Sequence, residues 1–108
     1  MKHKLNQTEG YIYLMQSQIH PTVFKIGRTT DLKEREKSLL KDNTYKTYQL
    51  KIIKYFLVEN YFEKEKELHD KFVKFRYCKT NGYNCDTELF IVNNIDNFIT
   101  NFEEMFKS

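Results

Sequence analysis

The chain has 108 residues, enough for one domain around one core. Apolar residues make up 40% and charged residues 31%, with three glycines and one proline, a balance that excludes a linker, a low-complexity segment or a disordered tail. The net charge of +3 permits an anionic partner without marking a dedicated polycation, and no apolar run approaches the length that spans a bilayer.

Residues 1–9 are polar and read as a frayed arm ahead of a single domain at 10–108. Met1-Lys2-His3-Lys4 is basic, but no apolar stretch of signal-peptide length follows it, so an intracellular protein is expected. In that setting Cys78 and Cys85 are expected to be free thiols. With His69 the nearest further ligand, their spacing fits no zinc pattern. Tyr11 to Met15, preceded by Gly10, reads as a strand. Gln16 to Thr22, with His20-Pro21, is a loop. Val23 to Gly27 is a second strand, antiparallel to the first because so little chain separates them.

Asp31-x-x-Glu34 has the form of a capping box, so a helix starts there with Leu32, Leu39 and Leu40 as its apolar stripe. Lys41 to Gln49 is a polar connection, and Leu50 to Val58 a third strand. A helix is predicted over Glu59–Arg76, its inner face carried by Tyr61, Leu68, Phe72 and Phe75. Tyr77 to Asp86, with Asn81-Gly82, is turn-rich, and Glu88 to Val92 has the character of a short edge strand. Ile95, Phe98, Ile99, Phe102, Met105 and Phe106 form the apolar face of a closing helix.

Two charged residues break the pattern of their helices. Arg35 lies three after Leu32 and four before Leu39, and Glu65 lies four after Tyr61 and three before Leu68, so both are predicted on inward stripes. A buried charge is costly unless it is paired or holds an ion. Either the two pair with each other, or each snorkels to its helix margin, or together they point a cation and a carboxylate into a shared cleft, one for a phosphate and one for a divalent metal. Strand parity adds Tyr13 and Lys25, which come close if the first two strands pair. The run from Lys25 through Gly27 and Arg28 to Arg35 thus delivers an ammonium and two guanidinium groups near a phenol, the groups that phosphodiester cleavage needs.

Tyr11-Ile12-Tyr13, Lys25-Ile26-Gly27, Arg35 on the next helix and Glu65 with His69 one turn on resemble the GIY-YIG nuclease superfamily. The likeness is to its viral and phage branch, whose second motif commonly reads K-I-G. Thr87-Glu88-Leu89-Phe90 looks like that branch's acidic-aromatic strand. The resemblance, over residues 10 to about 92, implies an α/β (α+β) fold with a small three-stranded antiparallel sheet flanked by helices. It also implies a metal-dependent endonuclease that hydrolyses nucleic acid, with DNA as the expected partner and Mg²⁺ or Mn²⁺ as cofactor. Tyr13 would act as general base or orient the attacking water, Lys25 would take the place of the second motif's tyrosine, Arg35 would steady the phosphate, and Glu65 would bind the metal. Arg28 and His69 are the expected substrate-binding side chains. Tyr11 stands where the first motif usually has glycine. The alternative is a nucleic-acid-binding or protein-interaction module on the same fold that has lost turnover.

Overall fold

A computed structural model describes residues 8–76 and 88–107. The expected arm at 1–9 therefore lies mostly outside the described residues, as do Cys78, Cys85, the turn-rich loop at 77–86 and Thr87. The end of that arm is anchored, because the Tyr61 amide donates to the Thr8 carbonyl at 3.2 Å.

The close spacing of the first two strands produces the expected antiparallel pair, β1 (Gly10–Ser17) and β2 (Val23–Thr29), in a register that sets Tyr13 opposite Gly27 and Met15 opposite Lys25. β3 (Leu50–Val58) pairs along the other side of β1, with a register shift between Leu14 and Met15. The sheet has four strands, not three. β4 (Leu89–Ile91) adds to β2 through Val23↔Ile91, Phe24↔Phe90 and Lys25↔Leu89, giving the order β3-β1-β2-β4. Leu89 and Phe90 become fully buried there, which is why so short a segment joins.

Alternation along the strands splits the core in two. Ile12, Leu14, Phe24 and Ile26 face the helices α2 (Tyr61–Lys71) and α3 (Ile95–Glu104), meeting Leu68, Phe72, Phe98 and Phe102. Tyr13, Met15 and Val23 face the other way, packing with Leu39 of α1 (Leu32–Lys41) and with Leu50 and Leu89. Asp31 caps α1 as predicted, its side chain accepting from the Glu34 amide at 3.1 Å.

Two helix predictions need correction. α2 ends at Lys71, and Val73–Phe75 form one 3-10 turn in place of a helix running to Arg76. The tighter turn keeps Phe72 and Phe75 above each other, three residues apart, so that both rings reach Phe98 at centroid distances of 4.9 and 6.0 Å. On α1 the inward stripe is Leu32, Glu36 and Leu39, with Leu40 and Arg35 turned outward. Glu36 wins the inner place because its carboxylate accepts from the Ile52 amide of β3 at 2.7 Å.

Candidate active site

Among the described residues, β4 pairs with β2 only as far as Lys25, and none of them adds a strand beside Ile26 to Thr29 on that side. The ionisable groups gather at this notch. A cleft of about 170 Å³ is lined by Tyr13, Arg28, Arg35, Glu65 and Glu88.

Behind its wall, Lys25 Nζ donates to Tyr13 Oη at 3.0 Å and to Glu88 Oε2 at 2.6 Å. Tyr13 and Lys25 are almost completely buried. They share the α1 face of the sheet, as strand parity predicts, and Gly27 between them makes room. A Cβ at Gly27 would lie 2.3 Å from Tyr13 Oη and 2.8 Å from Lys25 Nζ. Gly27→Ala is therefore expected to expel the phenol from its place, destabilise the fold by about 1–3 kcal/mol through overpacking and remove site function. Chemical denaturation and the loss of the Tyr13–Lys25 contact in the variant's structure check this.

Burial raises the Tyr13 pKa above the ordinary tyrosine value, and the opposing effects of Lys25 and Arg35 do not cancel it. For Lys25 the balance runs differently. Burial alone would lower its pKa, but the neighbouring Tyr13 and Glu88 oxygens hold it above the lysine norm. At neutral pH the pair is thus a phenol beside an ammonium. Tyr13 accepts from Lys25 and keeps its own O–H to donate, which suits a group that orients water or phosphate better than a resting base.

From the opposite face of the sheet, Arg28 Nη1 donates to Glu65 Oε1 at 2.6 Å, and its guanidinium lies 4.1 Å from the centroid of the exposed Phe62 ring. Glu65 is buried as its helix position predicts. Its pKa is raised by burial first and by the Glu88 carboxylate second, with Arg28 pulling the other way. Arg35 does not pair with Glu65. It is exposed on the outer side of α1, lines the cleft and makes no salt bridge among the described residues. Arg35 and Glu36 lie equally far from the Leu32–Leu39 line, and the Ile52 amide draws Glu36 to the inner place.

His69 stands one turn beyond Glu65 but outside the cleft lining. Its Nε2 lies 3.0 Å from the Ile26 carbonyl, and Arg76 Nη1 lies 2.8 Å from its Nδ1. A carbonyl only accepts and a guanidinium only donates, so the proton is on Nε2 and the ring is neutral. Burial lowers its pKa accordingly. With both nitrogens engaged, His69 braces β2 at Ile26.

Glu88 is the residue sequence reasoning missed. Its only signal was an acidic side chain just ahead of a short apolar strand in the 87–90 segment. It packs beside Glu65, and one ligand atom from each of Glu65, His69 and Glu88 lies within 4.8 Å of the others. Because both His69 nitrogens have partners, the two carboxylates are the groups that could hold an ion. Hard oxygen donors of this kind fit Mg²⁺ or Mn²⁺.

The T5orf172 domain family matches residues 10–105. No curated protein and no solved structure matches the chain. Among the described residues, no helix is long and apolar enough to cross a membrane.

Proposed function

Since the chain belongs to the T5orf172 domain family, a domain found in phage and in nuclease-like proteins, we propose that it is a metal-dependent endonuclease of the GIY-YIG type that hydrolyses DNA phosphodiester bonds. One observation carries the reading. A phenol, two guanidinium groups and two carboxylates, drawn from β1, β2, α1, α2 and the entry to β4, converge on a single small polar cleft.

Each group has a task in this reading. Arg35, which makes no salt bridge among the described residues, lies at the mouth, and its planar fork suits two non-bridging phosphate oxygens as charge builds on them. The Tyr13 O–H orients the attacking water, and Lys25 stabilises any negative charge that develops on the phenol oxygen when a proton leaves. Glu65 and Glu88 would hold the divalent ion, which when bound polarises the phosphate and eases departure of the leaving oxygen. Glu88 also fixes Lys25 against Tyr13, so one carboxylate touches both halves of the machinery.

The purified protein is expected to nick supercoiled plasmid with Mg²⁺ or Mn²⁺ and to leave it intact with a chelator. A nucleic-acid-binding module without turnover is the second reading. It draws on Lys25, which stands where the GIY-YIG second motif usually supplies another hydroxyl. Salt-dependent DNA binding with no divalent-dependent nicking would decide for it.

A further inference from the structure

Glu65 is already occupied. Its residue is only 9% exposed, and its Oε1 receives Arg28 Nη1 at 2.6 Å, so an internal cation already sits on the carboxylate that a divalent ion would use. The two cleft ion pairs differ in how tightly they are held. Lys25 is sealed at 2% exposure between two oxygen partners. The Arg28 side chain is 37% exposed, and its remaining neighbours are the rings of Phe62 and Tyr61, at 4.1 and 6.0 Å. Phe62 is itself 52% exposed, so the stack faces solvent at the rim of the cleft. A long unbranched side chain lying on an open ring can turn away from Glu65 without moving β2.

A guanidinium and a divalent ion on one carboxylate repel each other, the more so in a partly buried site, so each weakens the other's hold on Glu65. We propose that Arg28 is the resident counter-ion of Glu65, which a divalent cation displaces and which then turns, still supported by Phe62, to take a phosphate oxygen of the substrate. This rests on the nuclease reading and adds its regulation: the metal-free cleft is self-neutralised, and metal and phosphodiester binding reinforce each other through one side chain. The coupling is reciprocal by linkage. Phosphate that draws Arg28 off Glu65 opens the metal site, and metal that displaces Arg28 supplies a cation to phosphate. If the pair is closed nine-tenths of the time, metal binding is weakened about tenfold relative to an open carboxylate.

The test is a calorimetric titration of the DNA-free protein with Mn²⁺. Arg28→Ala is expected to bind Mn²⁺ about five- to tenfold more tightly than the wild type, whereas its affinity for a DNA duplex falls. Arg35→Ala removes another cleft cation that does not touch Glu65, and it is expected to change Mn²⁺ affinity less than about twofold. As a second measurement, the Arg28 Nε–H resonance of the wild type is expected to move on Mg²⁺ addition toward its position in Glu65→Gln. Unchanged or weaker Mn²⁺ binding in Arg28→Ala would overturn the exchange and leave the nuclease reading standing. Equal tightening by Arg35→Ala would overturn it too, since general charge removal would then explain the effect. Failure of both wild type and Arg28→Ala to bind Mn²⁺ would overturn the exchange together with the metal half of the nuclease reading.

Discussion

Glu65→Gln is expected to lower divalent-dependent cleavage by about 10²–10³-fold, the usual cost of removing one group that stabilises transition-state charge, and yet to raise thermal stability at neutral pH. The two effects have one cause. Burial and the nearby Glu88 carboxylate raise the Glu65 pKa, so the folded protein holds that proton more tightly than the unfolded chain does. Stability therefore declines as pH climbs from the ordinary carboxylate value of 4.5 through the raised one, and the deficit persists at neutral pH. An amide of the same shape never ionises. Arg28, left behind, is exposed enough to hydrate. A rise of about 2–5 °C in melting temperature is expected, together with a flatter pH dependence of stability across that window. Thermal denaturation of both proteins as a function of pH checks it. A lower melting temperature for the variant would mean that the Arg28 pair outweighs the strain on the carboxylate.

Glu88→Ala is expected to act in the opposite sense on stability while also removing activity. Its carboxylate is the charged partner of an ammonium that is 2% exposed. Removing one member of a fully buried pair costs ~3–5 kcal/mol, because the other charge stays behind. Here the figure is smaller, about 2–3 kcal/mol, since the Glu88 side chain is 39% exposed and Tyr13 still accepts from Lys25. The pH profile changes as well. Lys25 depresses the Glu88 pKa despite burial, so the wild type gains stability above the ordinary carboxylate value and loses it as pH falls through the depressed one; the variant lacks that acid-side loss. Adding Lys25→Met to Glu88→Ala is expected to recover part of the deficit without recovering cleavage, because the double variant no longer buries an ammonium that has lost its carboxylate. Urea denaturation of the two variants against wild type measures both terms.

Much of this architecture was legible in local patterns. Alternation placed Tyr13 and Lys25 on one face of a paired sheet, and the Asp31 cap fixed the start of α1. Helical spacing brought Glu65 inward beside Leu68. The failures share a cause, which is that a helix's rotation about its axis is settled by partners distant in sequence. Arg35 and Glu36 are equally placed between Leu32 and Leu39, and the open amide of Ile52 on another strand decides between them. Likewise, nothing local pairs Arg28 with Glu65 across 37 positions or Lys25 with Glu88 across 63. The edge strand read over Glu88 to Val92 is present as β4, and only the three-strand count implied by the resemblance falls short, because burial of Leu89 and Phe90 seats that strand in the sheet. The residue that most changes the site, Glu88, lies at the entry to that strand.

The most direct measurement is the rate of Mg²⁺-dependent plasmid nicking by wild type, Arg35→Ala and Glu65→Gln, each first shown to be folded by its cooperative melting transition. The predicted result is cleavage by the wild type that a chelator stops, with a loss of about a hundredfold or more in both variants. Nicking that proceeds at the wild-type rate in both folded variants would contradict the placement of phosphodiester hydrolysis in this cleft.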